Sequence, residues 1–229
     1  MPTIKFTDTT GLVPEQFYPK PASRFIPEWL KALKPYGEDK KHRQLSPHDS
    51  NRTAKKCHPM VDAAMTGYVI ETTEDWIVEQ TDQGAHFYWA NGLGLDFHEP
   101  GQISTHSRSS EMVPKWMNPF AIETPAGYST LFIPLVNQDN PVIVPFSGMV
   151  DTDSFIHNVN FPFLLRDPDF EGLIPAGTPL VQVIPVKRVE WTKAVHSGET
   201  DAITRSQRLS TSVFLNGYKM FFRKPKSYR

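Results

Sequence analysis

Cysteine is nearly missing from this sequence: Cys57 stands alone among 229 residues. One thiol excludes an intrachain disulfide and any zinc site built from several cysteines, and it fits a reducing compartment. Charge of one sign is not in excess. Lysine and arginine number 24 against 25 aspartates and glutamates, so no bulk field marks a nucleic-acid binder or an acidic tail. Long apolar runs are missing too, including from MPTIKFTDTTG, and neither a signal peptide nor a membrane span is expected. The chain also lacks a Walker motif, a GxGxxG between strand and helix, a GxSxG elbow, an internal repeat and a low-complexity tract.

What is present is proline, 21 residues of it, and aromatic side chains at 12%. Proline removes a backbone donor and fixes φ, so so many of them imply short elements joined by shaped loops. The aromatics supply the burial that orders such a broken chain. The length suits one large β-rich domain with a substantial core. Three stretches follow: residues 1–56 as an arm with one short helix and a polar loop packing on the core, 57–191 as a β-sandwich core, and 192–229 as a C-terminal helix and basic tail.

Within the arm, Pro2, Pro14, Pro19 and Pro21 forbid a long helix, whereas IPEWLKALKPYG reads as a short one. Pro27 suits its first turn, Trp29, Leu30 and Leu33 form its apolar stripe, and Pro35 and Gly37 stop it. Residues 37–56 are polar without periodicity and read as an exposed connection. From Cys57 the pattern becomes β-branched and aromatic runs between turns: residues 68–70, 76–78 and 87–89, then Ile122, 129–134, 142–146, 180–184 and 186–191. DQG at 82–84 is a hairpin turn, and Pro185 inside the last run marks a bulge or an edge. Beyond about residue 198 the spacing turns helical, with Thr200 or Asp201 as cap and a break near Gly217. The fold class is therefore mainly β: an antiparallel sandwich or distorted jelly-roll-like barrel with a short N-terminal helix and a C-terminal helix.

The candidate chemistry centres on GMVDTDSFIHNVNFPF. Asp151 and Asp153 lie two apart behind a glycine, with His157 following, and such carboxylates can converge on one water or one metal. The competing reading is an Asx-type turn in which the aspartates satisfy local N–H groups. A metal site would draw on His86, His98 and His106, the residue types of a two-histidine, one-carboxylate centre; the alternative is a set of unrelated structural histidines. KCHPMVD gathers Cys57, His58 and Asp62, either a nucleophile with a base or a thiol entering the first strand. SRSS offers Arg108 and Ser109 as a phosphate cradle or an ordinary polar turn.

The words TPAGYS and PAGTPLVQVIP, with KCHPMVDAAMTGYVI and GMVDTDSFIHNVNFPF, resemble an uncharacterised family of phage and bacterial proteins over about residues 57–191. That resemblance carries no assigned activity. GMVDTD followed by IPAGTPLVQVIPV is similar to the third and fourth motifs of the dUTPase and dCTP deaminase superfamily, which are β jelly rolls. It implies that Asp151 orients an attacking water and that Arg108 and Ser109 lie near phosphate; Gln182, in PLVQVIP, is a further candidate for ligand binding. The motif's tyrosine is replaced by Ser154, with Phe155 adjacent, and the glycine-rich C-terminal arm of that superfamily is missing. Three functions are carried forward. One is a binding or structural assembly module, phage-encoded in the first resemblance, contacting other subunits through arms and loops. The second is a nucleotide-binding or nucleotide-hydrolysing enzyme of dUTPase-like fold, and the third a metal-dependent cupin-like oxygenase or isomerase. The expected partners are other copies of the chain and a small-molecule or nucleotide ligand, with no membrane and no specific nucleic acid. The expected location is the bacterial or infected-host cytoplasm, and no cofactor is named by the sequence.

Overall fold

The computed structural model describes residues 1–37, 52–82, 84–90, 94–103, 112–211 and 217–229. Among them the β-branched and aromatic runs form fifteen short strands. The first eight are β1 (Lys5–Asp8), β2 (Lys20–Pro21), β3 (Tyr68–Glu71), β4 (Trp76–Thr81), β5 (Gly84–Trp89), β6 (Leu95–His98), β7 (Val113–Trp116) and β8 (Phe120–Glu123). The rest are β9 (Tyr128–Ile133), β10 (Ile143–Pro145), β11 (Gly148–Val150), β12 (His157–Asn158), β13 (Phe161–Leu165), β14 (Gly172–Ile174) and β15 (Pro179–Lys187). They pair antiparallel in four sheets, ordered β1-β8-β12, β10-β13-β7-β6, β11-β9-β15-β3-β2 and β14-β4-β5. The protein is mainly β, as its sequence pattern requires.

Alternation fixes which side chains face inward. In β13, Phe161, Phe163 and Leu165 are buried while the residues between them are half-buried. All four sheets feed one core: Phe120 and Ile122 from the first, Trp116 and Phe163 from the second, Phe132 and Val183 from the third, Trp76 and Phe87 from the fourth. Trp76 stacks on Phe163 at 5.6 Å between ring centroids, and Phe87 meets the same ring edge-on at 5.9 Å. Such ring pairs add about 0.5–1.5 kcal/mol each beyond the area they bury.

The residues before the first long strands do more than wrap the core. β1 pairs with β8 and β2 with β3, so two pieces of the proline-rich arm complete sheets. Helix α1 (Glu28–Ala32) follows Pro27, which stands at its N-cap, and buries Leu30. Helix α2 (His58–Ala64) occupies the place where the sequence pattern put the thiol entering a strand; Pro59 starts it, and Cys57 precedes it, exposed. Two helical turns are too few for an apolar period to register. Gly67, at φ +79°, then brings the chain against β15 so closely that a methyl group would overlap the Val183 carbonyl.

β15 crosses the third sheet between β9 and β3. The bulge expected at Pro185 lies earlier, where the register against β3 shifts between Pro179 and Val181, and both Leu180 and Val181 reach the core. Pro185 pairs with Thr130 of β9, past Val183, where pairing with β3 ends, so its missing donor is not called for by a second neighbour. The strand stops at Lys187 and does not continue to Trp191. Helix α3 (Asp201–Thr211) begins as expected: Thr200 Oγ1 accepts from the Ile203 N–H at 3.3 Å. Gly217 immediately precedes a π-helical turn at Tyr218–Phe222. The polar stretch 38–51, Arg108, Ser109 and His106 lie outside the described residues. No helix among the described residues is long and apolar enough to cross a membrane.

Candidate functional site

Three buried threonines determine how the 148–158 stretch turns. Thr152, fully buried, shares its hydroxyl with Thr124 and Thr130, each at 2.7 Å, and its carbonyl accepts the Thr124 N–H at 3.2 Å. With Thr152 pointing into the core, its neighbours Asp151 and Asp153 point the other way and meet one cation, Arg188, just past the end of β15, which covers Asp153 and leaves Asp151 exposed.

The two aspartates are not equivalent. Asp153 is only 9% exposed in its side chain. It takes both terminal nitrogens of Arg188, Nη1 at 2.9 Å and Nη2 closer still, and accepts the Gly127 N–H at 2.8 Å. The Arg188 fork, then the Gly127 N–H, hold its carboxyl below the usual aspartate range, and the same contact raises the Arg188 guanidinium. Gly127 can serve because φ +83° lets the 125–128 turn aim its N–H at Asp153 while its carbonyl accepts the Arg188 N–H at 2.8 Å. Asp151 is 62% exposed. Its Oδ1 accepts from Ser129 Oγ at 2.6 Å and from Arg188 Nη1 at 3.2 Å, while Oδ2 has no partner among the described residues.

This is an ionic clamp, two carboxylates on one guanidinium, that closes the β9, β11 and β15 ends. It explains the quoted words of the sequence: PAGYS supplies Gly127 and Ser129, and VDTD supplies the carboxylates. The missing member was Arg188, sixty residues from that turn, and nothing in the local pattern distinguishes it from any other arginine after a strand. His157 stands apart. Its backbone pairs with Ile122, its Nδ1 lies 3.1 Å from the Asn158 carbonyl, and its exposed ring lies against Phe155 at 5.4 Å. Among the described residues no hydrogen bond joins it to either aspartate.

The remaining candidates are dispersed. His86 is exposed on β5, its ring 4.7 Å from that of Tyr88. His98 bonds through Nδ1 to Gln102 Oε1 at 2.9 Å. No group of three metal-ligating side chains occurs among the described residues. Gln182 is buried and its amide is fully used inside the protein: Oε1 accepts the Val136 N–H at 3.0 Å, and Nε2 donates to the carbonyls of Ala63 at 3.0 Å and Thr66 at 2.6 Å. It ties β15 to the end of α2. Two cavities lie away from the aspartates. One of about 280 Å³ opens between His86, Phe97, Met112 and Leu164, and a depression of about 530 Å³ lies between Leu12, Thr73, Asp75 and Pro119.

A second ionic cluster escaped the sequence pattern altogether. Asp62 on α2, buried, accepts from Arg223 Nη2 at 2.6 Å and Nε at 3.1 Å, and from Lys226 Nζ at 3.0 Å. The Arg223 hydrogen bond leads in holding its carboxyl at about 2. Burial, with Arg223 and Lys219 nearby, lowers the neighbouring His58. Asp62 therefore serves the tail and not Cys57. Beyond it, Tyr228 packs edge-on against Tyr68 at 5.8 Å, and the Tyr68 hydroxyl donates to the Arg229 carbonyl at 3.2 Å. No known protein family, curated protein or solved structure matches the chain.

Proposed function

We propose that this protein is a binding and assembly module that meets its partner through an excursion comprising residues 189–211 and 217–222. The observation that carries this reading is the excursion's construction. Each end is pinned by an ionic clamp, Arg188 on Asp153 and Arg223 on Asp62. Between the clamps, Trp191 is 88% exposed, and Val189, Val195, Met220 and Phe221 are exposed as well. Apolar side chains held out on a pinned segment are surface awaiting a partner. The neutralised Asp153–Arg188 pair and the dispersed histidines support a non-catalytic role.

The test compares the full chain with its Trp191→Asp variant by affinity purification and light scattering. Association, with itself or another protein, is expected for the parent and lost in the variant. Association that survives Trp191→Asp unchanged, or none in either, overturns the reading.

A second reading rests on the open Oδ2 of Asp151. A carboxylate oxygen facing solvent beside an arginine can orient a water against a nucleotide phosphate, as the dUTPase-like motifs imply. Incubation with dUTP and dCTP tests it: pyrophosphate release that disappears in Asp151→Asn supports hydrolysis, and release equal in both proteins overturns it.

A further inference from the structure

Residues 189–196 read Val-Glu-Trp-Thr-Lys-Ala-Val-His. Val189, Trp191 and Val195 fall on one parity, with Lys193 between, and Glu190, Thr192 and His196 on the other. That is the period of a strand. The preceding residues are a strand, β15, and the sequence pattern continues it to Trp191. Yet among the described residues none from 189 to 198 makes a hydrogen bond, and this stretch lies in no ladder. A segment patterned for pairing, with its backbone donors and acceptors open, finds no neighbouring strand among the described residues of its own chain.

The same chain carries a matching vacancy in a sheet. β5 is six residues long, and among the described residues it pairs with β4 alone, which leaves its other edge without a strand there. The outward face beside that edge is apolar in a row that crosses the sheet: Leu173 on β14 pairs with Ile77 on β4, which pairs with Tyr88 on β5, and all three are exposed. Two positions away on the same face, Glu79 pairs with His86. An added antiparallel strand with Trp191 opposite Tyr88 would prolong the row by one more ring. The same register sets Lys193 opposite His86 and within reach of Glu79, and Val195 opposite Gly84. Apolar meets apolar and cation meets carboxylate in one alignment.

We infer that residues 189–196 of one copy of this chain add as a strand to the free edge of β5 in a second copy. This rests on the assembly reading and names its partner. Addition at a sheet edge satisfies the open backbone groups of both sides, and because strand and edge belong to the same sequence, copies can exchange arms reciprocally. The Arg188 clamp fixes where the arm leaves the body.

Two forms of the full chain with different affinity tags, expressed together, test this. The copies co-purify, and Trp191→Asp or Tyr88→Asp weakens their association by about tenfold or more while circular dichroism and melting stay as in the parent. A contact experiment removes dependence on variant folding. In a Cys57→Ser background, Trp191→Cys and Tyr88→Cys proteins are mixed and oxidised. A disulfide that joins the two different variants in preference to either with itself is expected. Copies that co-purify without that preference, or pair undiminished in Tyr88→Asp, overturn the β5 site. Copies that do not pair, while another protein is retained in a Trp191-dependent way, overturn the inference and leave the assembly reading standing. No association of either kind sinks both.

Discussion

Replacing Asp62 by asparagine removes the charge that binds residues 223–226 to α2 while keeping the side chain's size. The carboxyl stands at about 2 against an ordinary 3.8, chiefly through the Arg223 hydrogen bond. An acid lowered in the folded state stabilises the fold above its unfolded pKa, and the contribution fades as pH falls through the folded value. Unscreened, that separation corresponds to about 2.4 kcal/mol. Arg223 and Lys226 are partly exposed, so water screens the cluster, and about 1–2 kcal/mol is the expected loss in Asp62→Asn near neutral pH. Urea unfolding of parent and variant at pH 6 and pH 3 measures it. The gap should be fully open at pH 6 and shrink to about half at pH 3, because only part of the linkage survives between the two pKa values. Amide exchange across residues 223–229 should quicken in the variant. Equal stabilities at pH 6, or a gap that widens on acidification, would refute the assignment of this cluster as a stabilising clamp.

Three further outcomes are expected. Gln182→Leu leaves the Val136 N–H and the Thr66 carbonyl without their partner in a buried place, while the Ala63 carbonyl keeps the Thr66 N–H, and urea unfolding should register a loss of about 2–4 kcal/mol. Gly67→Ala combines a left-handed φ with overlap onto the Val183 carbonyl and should cost about 2–3 kcal/mol in the same assay. Asp153→Asn should speed hydrogen exchange of the Gly127 amide, whereas Asp151→Asn leaves it unchanged; since the Arg188 hydrogen bond holds Asp153 below the ordinary aspartate range, the parent's protection at Gly127 persists on acidification through that range and is lost only below it.

The longer strands were legible because they carry their own signal. The run at 76–78 or at 180–184 announces a strand from a handful of neighbouring letters, and Thr200 before a helical run announces its cap, whereas β6, β7 and β11 to β14 were missed, being two to five residues long and set among prolines, glycines or polar turns. α2 was hidden by its shortness, and β1 and β2 by prolines that look like an arm until β8 and β3 are seen beside them. The candidate site was legible in half. The glycine turn and two aspartates stand out locally, but Arg188 joins them only through the packing of β15 beside β9, and Arg223 reaches Asp62 across 161 residues of chain. No local periodicity encodes such pairings. Gln182 is the converse: a polar letter in an apolar strand looks like a ligand contact until the end of α2 is found to need its amide.

β15 sets the timetable of folding. It lies between β3 and β9, both translated before it, and neither can complete its ladder until residues 179–187 have left the ribosome. Closure of that sheet thus waits on contacts distant in sequence, which makes for a slow, late-committing chain. A nascent polypeptide stalled short of this strand holds out β3 and β9 with the edges that β15 covers open to pairing with other chains, so the hazard of aggregation grows with the delay before residues 179–187 emerge.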